Sequence, residues 1–427
     1  MNGKFAGKKL LVLGSNVGSK DIVNYAKANG AYTIVADYLP KEKSEAKNYC
    51  DEDVLISTGD TEKLIEYISE NHIDGVLAGI HEFNLIQAMK LCEKFSFPFY
   101  CNKKQWDLMQ MKQNFHRLCE KYKVPSPKSY YVGGKLSDLD WNGIEFPAVI
   151  KPVDSSASQG VHLCYNLQDM KNCEDDAIES SDSKTIMIEE MVKGEEFTAH
   201  YTIKNGNIAL SCIDNRYPVA LHDGNVTTIP IARIYPSKFI DEYIQQVDGS
   251  MKSLIESLGL NNAVLFIQGM YDTELNKFYI FESSMRCAGE APYRIIEKIN
   301  GINFMHMLVD NALSVQTDYN QSKEDPYFKG KIAGTVSFAT VGGTVGSIIG
   351  LEEAVSKLDS IVDYECRYPV GRETPNGDTL RQLMIRFVMI CDNKDQMKKD
   401  IKYLNDNITV LNDKGENMVV RFDPDFL

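Results

Sequence analysis

Three stretches of the sequence place groups suited to nucleotide chemistry at short intervals. In FPAVIKPVDSSASQGV (146–161) an apolar strand delivers Lys151, and Pro152 then turns the chain into a loop of small and polar residues ending in Gly160. Small residues here, Ser155, Ser156, Ser158 and Gly160, let backbone N–H groups approach phosphate oxygens, and a nearby lysine adds a point charge. The bland alternative is a surface loop after an edge strand. An ammonium inside an apolar strand is costly to bury without a partner, which favours the functional reading. No G-x-x-x-x-G-K-[ST] exists in the chain, so this is not a P-loop.

In IMIEEMVKGEEFT (186–198) a strand runs into Glu189 and Glu190, then Met191 and Val192, a turn at Gly194, and Glu195 and Glu196. Paired carboxylates at a strand end can accept from an amino group or from ribose hydroxyls. The backbone around 190–192 can pair with a purine edge. Taken singly, the segment reads better as a solvated acidic turn. In the third stretch, LFIQGMYD and KFYIFES flank the turn TELN, which predicts a hairpin. A turn centred near Glu274 and Leu275 sets Gln268 opposite Glu282, and Ser284 and Arg286 continue that face at period two. An amide oxygen, a carboxylate and a hydroxyl are hard ligands suited to Mg²⁺ with nucleotide phosphates. The guanidinium suits a phosphoryl group or a carboxylate. A polar outer hairpin face explains Glu282 but not the whole row.

The elements that must position these groups fall into three regions. Residues 9–14, 31–37, 51–57 and 74–80 read as strands, with helices at 19–30 and 61–72, Ser19 as N-cap and Gly30 as stop. This βαβα alternation predicts a parallel sheet covered on both faces, ending near residue 100. A long helix is expected from about 103 to 122, stopped by the prolines of VPSPKSY. From 130 to 300 strands mix with helices near 238–258 and 291–299, an α+β pattern. The tail carries strands, a helix at 394–404 and many glycines at 342–350. The expected division is 1–102, 103–325 and 326–427.

The 427 residues suit two or three domains, and 46 basic against 60 acidic side chains give a net charge of −14. That balance argues against holding nucleic acid or anionic lipid by bulk charge. No apolar run reaches membrane-span length, the short LLVL near the start is too brief for a signal peptide, and none of the ten cysteines forms a Cys-x-x-Cys pair. Reduced thiols in a cytoplasmic protein are expected. Gly14-Ser15-Asn16-Val17-Gly18, with Asp37 ending the next strand, has the layout of a dinucleotide fingerprint. Its spacing is G-x-x-x-G, however. A tight strand-to-helix turn, or a contact to an organic substrate, is the preferred reading.

Taken in order, these segments over roughly residues 8–310 resemble the ATP-grasp superfamily of ATP-dependent ligases, in the branch of carbamoyl-phosphate synthetase halves, biotin carboxylase and L-amino-acid ligases. The resemblance implies a Rossmann-like N-terminal domain, an ATP-grasp fold and a small C-terminal α+β module. It gives Lys112, in MKQNFHRLCEKYKVPSP (111–127), the role of first nucleotide lysine and Lys151 that of the second. The adenine hinge falls on Glu189 to Val192, with the Glu190 carbonyl and the Val192 N–H facing the base, and Glu196 takes the ribose. The metal pair matches Gln268 and Glu282, and the family's E-x-N-x-R reads Glu282, Ser284 and Arg286. Serine replaces the usual asparagine, which weakens the third metal contact.

What this implies is ATP and Mg²⁺ as cofactors, with Mn²⁺ as a substitute metal. A carboxylate attacks the γ-phosphate, and an amine then attacks the acyl phosphate to form an amide or peptide bond, with Arg286 stabilising the transferred group. The partners are then a small carboxylate and a small amine, without nucleic acid or membrane. A bicarbonate-activating carboxylase-type enzyme is the runner-up, and a non-catalytic nucleotide-binding protein the third reading. Arg294 and the 289–294 turn are read as second-substrate contacts or as surface. Arg367, Arg372 and Arg381 are read as closing the site or forming a homodimer face.

Overall fold

The apolar run Leu10 to Leu13 is fully buried because helices cover both faces of its sheet. In the computed structural model, which describes residues 3–139, 141–155, 159–221, 229–377 and 379–427, the N-terminal sheet has four parallel strands. Their order is Glu52–Val54, Tyr32–Ala36, Lys9–Leu13 and Gly75–Ala78. The helices are Ser19–Ala28, Thr61–Asn71 and Glu82–Phe95, the last without a counterpart in the sequence reading. Ser19 is not the N-cap as expected. Gly18, at φ +89°, holds that position, and the Ser19 hydroxyl instead accepts from the Asn16 N–H at 3.2 Å. The left-handed conformation of Gly18 tightens the strand-to-helix turn, which moves the cap one residue back.

The turn at 14–18 is built for close backbone packing. A Cβ at Gly14 would stand 2.1 Å from Asn84 Nδ2, and Gly14 has φ +75°. Asp37 is spent on structure, accepting from the N–H groups of Ser15 and Leu39 at 2.8 and 2.7 Å. This agrees with a tight turn and leaves Asp37 already engaged where a dinucleotide ribose would need it.

A second, nine-stranded antiparallel sheet dominates the rest of the chain. Its order is Lys277–Ser284, Ala263–Asp272, Glu195–Lys204, Asn207–Val219, Ile229–Tyr235, Ile332–Thr340, Leu383–Cys391 and Ile361–Cys366, with Val419–Arg421 also on Ile332–Thr340. The sheet thus joins strands from both sides of residue 326, Ile229–Tyr235 pairing with Ile332–Thr340. A smaller sheet, Ser129–Gly133, Ile186–Glu190, Ala148–Pro152 and His162–Cys164, packs on helix Leu167–Glu179 around Ile150, Met170 and Ile188. A separate core gathers Phe338, Phe387, Ile401 and Leu404 beneath helix Lys394–Asn407. The largest core joins the N-terminal sheet to Phe197, Phe278 and the helix Phe304–Ala312. All ten cysteines are free thiols. Among the described residues, no helix is long and apolar enough to cross a membrane.

The single helix expected over 103–122 is two. Lys103–Gln110 ends at Met111, whose ψ of 116° is extended, and Lys112–Tyr122 starts afresh. The break places Lys112 at a helix start, with its N–H donating to the Val153 carbonyl at 3.1 Å. A continuous helix would carry that N–H inside its own hydrogen-bond ladder.

Candidate active site

The hairpin of the large sheet sets Gln268 directly opposite Glu282. A β-bulge is needed for this. From the turn outward, Asp272 faces Lys277 and Gly269 faces Ile280, and that register would continue with Phe281 opposite Gln268. The register shifts between Gln268 and Gly269, which turns Glu282 onto the Gln268 face. Phe266 then faces Ser284. Arg286 lies just past the strand with its guanidinium 5.0 Å from the Phe266 ring, stacked as a cation on an aromatic face.

The register carries this face across the sheet. Gln268 faces Thr198, Thr198 faces Asp214, Arg216 faces Arg233, and Arg233 faces Thr335. Two residues on, Ser337 faces Arg386, and Arg386 faces Glu365. Side chains alternate along a strand, so all of these project to one side. In sequence they are the polar positions of period-two strands such as Glu196, Thr198, His200 and Cys212, Asp214, Arg216. That alternation is a signal the sequence reading passed over.

Above the face stand the two lysines. Lys112 Nζ donates to the Ser155 carbonyl at 2.7 Å. Burial lowers its pKa, opposed by Glu282, while Lys151 adds to the lowering. Lys151, on Ala148–Pro152, is only 6 % exposed, and its ammonium pairs with the equally buried Glu189. That partner resolves the oddity of a lysine in an apolar strand. Ser155 donates to the Gln159 carbonyl at 2.9 Å, and Gly160 has φ +68° with a would-be Cβ 2.6 Å from Ser180 Cβ. Ser156 and Ser158 lie outside the described residues.

The paired carboxylates of the hinge do not act together. Successive residues of a strand point to opposite faces. Glu189 reaches Lys151, whereas Glu190 Oε1 accepts from the Lys128 N–H at 2.8 Å. Val192 follows in the connection to Glu195–Lys204, and Glu196 on that strand forms an ion pair with Arg216. Ser284 donates to Gln110 Oε1 at 2.9 Å, bringing a second amide beside the metal pair. Arg286 Nε and Nη2 both donate to Glu82 Oε1, at 3.1 and 3.0 Å. The N-terminal domain therefore holds this arginine. Arg294 is not a free surface residue; it pairs with Asp21 at 2.9 Å and Asp363 at 3.5 Å.

Further along the face, Arg233 Nη1 donates to Thr198 Oγ1 at 2.6 Å and to Asp214 Oδ2 at 2.9 Å, and its Nε stands 3.0 Å from Glu290 Oε1. Burial pushes the Glu290 carboxyl up, but Arg233, Arg386 and Arg216 outweigh it and hold it below the usual range. Burial and then Arg233 push the His200 imidazole down to about 3, so it is neutral. None of Gln110, Glu82, Arg233, His200 and Arg386 was singled out from sequence, because they are scattered over several elements, and Glu290 entered only as part of the 289–294 turn.

The donors Gln268, Glu282 and Ser284 are all oxygens, and one is charged. Such a set fits Mg²⁺ when nucleotide phosphates complete the shell. Among the described residues there is no group of three or more His, Cys, Asp or Glu able to hold a metal unaided.

Residues 144–292 match the ATP-grasp domain family. The chain is 24 % identical over 289 residues to the formate-dependent phosphoribosylglycinamide formyltransferase of Bacillus velezensis, covering 66 % of this chain and 71 % of that protein. Against the protein of the same name from Prochlorococcus marinus strain MIT 9301 the identity is 28 % over 215 residues, 49 % of this chain and 54 % of the relative, so the match spans about half its length. The L-amino acid ligase of Bacillus licheniformis has a similar structure, with a TM-score of 0.78 at 16 % identity over 95 % of this chain and 99 % of that one. Residues 144–292 of this chain thus match an ATP-grasp domain, and over 95 % of its length the chain shares the fold of that L-amino acid ligase.

Proposed function

We propose that this protein is an ATP-dependent, ADP-forming ligase that joins a small carboxylate to a small amine through an acyl phosphate. The observation that carries the reading is the Gln268–Glu282 pair, bulged onto one face beneath Lys112 and Lys151. Phosphoryl transfer asks the protein mainly for positioning and charge neutralisation. Lys112 and Lys151 hold the α- and β-phosphates, and binding exchanges their contacts to the Ser155 carbonyl and Glu189 for phosphate oxygens. The Glu190 carbonyl and the Val192 N–H face the adenine, and Glu196 takes the ribose, releasing Arg216. Ser155 and Gly160, the described ends of the small-residue loop, leave room for backbone N–H groups to approach the phosphates.

Gln268, Glu282 and Ser284 would hold Mg²⁺, which supplies charge neutralisation across the phosphates. Arg286, steadied by Glu82 and Phe266, stabilises the transferred phosphoryl and the tetrahedral intermediate. The division into 1–102, 103–325 and 326–427 belongs to this reading, with the first part supplying Glu82 and the last closing the far end of the sheet. We place the protein in the cytoplasm, consistent with its free thiols. The test is product analysis. Purified protein with Mg²⁺ and ATP releases ADP and phosphate only when the matching acid and amine are both present. Release of AMP rules out the acyl-phosphate route.

A further inference from the structure

A cavity of about 440 Å³ lies where the N-terminal domain meets the rest of the chain. That volume falls within the roughly 300–1,000 Å³ of small-molecule sites. Lys112, Lys151, Gln268 and Glu282 all stand outside its lining. One wall is the segment that leads from the helix Glu82–Phe95 into the helix Lys103–Gln110, and another is the turn at 259–262.

The lining residues specify a chemistry. Phe97 and Phe99 bring aromatic surface and are only half-buried. Phe99 already stacks on Tyr100 with ring centroids 4.3 Å apart. A flat ring added to such a surface removes it from water. The polar groups are mostly amides. Asn102 and Asn311 accept through Oδ1, from the Gln105 N–H at 2.9 Å and from Asn262 Nδ2 at 3.4 Å, which leaves their NH₂ groups as donors for a ligand. Asn261 adds another carboxamide, on an exposed residue. Aromatic faces beside carboxamides are the combination that reads the face and edge of a nucleobase. Charge is set by the same lining. Glu93 contributes a carboxylate, and the Lys103 ammonium is held by Asp107 at 2.6 and 2.5 Å. Burial pushes the Cys92 and Cys101 thiols up to about 12, so both are uncharged. A phosphate or carboxylate therefore meets no uncommitted cation among the lining residues.

One helix joins this cavity to the candidate active site. Asn102 and Gln105 form a capping box at its start, and Gln105 Nε2 also donates to the Leu258 carbonyl at 2.8 Å. At its other end the Met109 carbonyl accepts from the Ser283 hydroxyl, and Gln110 Oε1 accepts from Ser284. Lys112 follows two residues later. Eight helical residues span about 12 Å and move as a rigid element, so a displacement at the cap reaches Ser284 and Lys112.

We propose that this cavity is a regulatory site for an uncharged, planar nitrogen heterocycle of the nucleobase kind, and that its occupancy shifts nucleotide affinity through the helix Lys103–Gln110. The coupling, but not the binding, rests on the ligase reading above.

The test uses the full chain with Mg²⁺, saturated with a non-hydrolysable ATP analogue so that the adenine subsite is filled. Adenine, uracil and nicotinamide are titrated by calorimetry beside their charged counterparts AMP, orotate and nicotinate. At least one neutral heterocycle should bind, about tenfold or more tightly than its counterpart. Asn261→Trp places a large side chain in the cavity from an exposed position, and Asn311→Leu removes a donor. Each should weaken that binding by about tenfold or more, with urea titration showing that the variant is folded. In a second titration, the saturating heterocycle should change the affinity for the analogue by roughly 5-fold or more. The proposal is overturned if no neutral heterocycle binds the analogue-saturated chain, if the charged counterparts bind as well, if the folded variants bind like wild type, or if the analogue affinity does not move. A wild-type chain that binds the heterocycle but never the analogue removes the ligase reading instead and leaves the site standing.

Discussion

The two ends of the large sheet's polar face are built on opposite principles. At the hairpin end the charged groups are few, and the key pair is a neutral amide facing one carboxylate, Gln268 and Glu282. At the far end arginines crowd around carboxylates, with Arg233 shared between Asp214 and Glu290. On the proposed reading, the hairpin end leaves charge to be supplied by a metal ion and phosphates. The arginine end has its charges in place before anything binds. The difference teaches that a chain with a net charge of −14 can still gather cations locally, independent of its bulk field.

The sharpest way to break this contrast is at the hairpin. Glu282→Ala removes the one charged oxygen of the proposed metal set. It should lower kcat for ADP release by about 10²–10³-fold, measured at saturating Mg²⁺ and ATP. An activity within a few-fold of wild type would mean that the hairpin end is only a polar surface.

The next effect is on stability. Lys151→Ala leaves Glu189 buried without its cation and should cost about 3 kcal/mol of unfolding free energy in urea titrations. The double change Lys151→Met with Glu189→Gln should recover most of that loss while ATP turnover stays abolished, separating the structural use of the lysine from its use on phosphate.

At the arginine end, the neutral His200 gives a pH dependence. Its native pKa lies near 3 and its ordinary value is 6.5, so the native state binds fewer protons between those values. Stability therefore falls as pH drops through that window, by ~2 kcal/mol at about pH 5. His200→Gln should flatten this part of the stability–pH curve, and an unchanged slope would place the titration elsewhere.

The smallest effect concerns Gln110. Gln110→Ala frees the Ser284 hydroxyl and should change the half-saturating Mg²⁺ concentration by several-fold, about 1 kcal/mol, with ATP affinity nearly unchanged. A change confined to ATP affinity would move Gln110 from the metal end to the nucleotide.

The hairpin end was legible in the sequence because its residues sit within one supersecondary unit. Gln268, Glu282 and Ser284 are separated by a single turn, and strand periodicity puts Glu282 and Ser284 on one face, although the bulge was needed to bring Gln268 opposite them. The first parallel sheet was legible for a similar reason, since buried strands read as continuous apolar runs. Lys112 stands close enough to Glu282 and Lys151 to feel their charges, but its helix was read as continuous with the one before. Nothing in MKQNFH announces the extended Met111. The acidic hinge was read as a carboxylate pair, although strand alternation already requires Glu189 and Glu190 to diverge. The arginine end was not legible. Arg216, Arg233 and Arg386 lie on three strands, and Glu290 lies outside the strands altogether.

By itself the sequence determined the covered parallel sheet, the hairpin, the buried lysine that needed a partner, and the order of segments that resembles an ATP-grasp ligase. These follow from short-range periodicity and from the cost of burying charge, which are local. Tertiary structure alone decided the bulge that turns Glu282 onto the Gln268 face, the hold of Glu82 on Arg286 from a helix of the N-terminal domain, and the approach of Arg386 to the turn that carries Glu290. A one-residue register shift inverts which face a side chain occupies, and contacts between distant strands depend on how sheets pack. Neither is encoded in the spacing of residues along the chain.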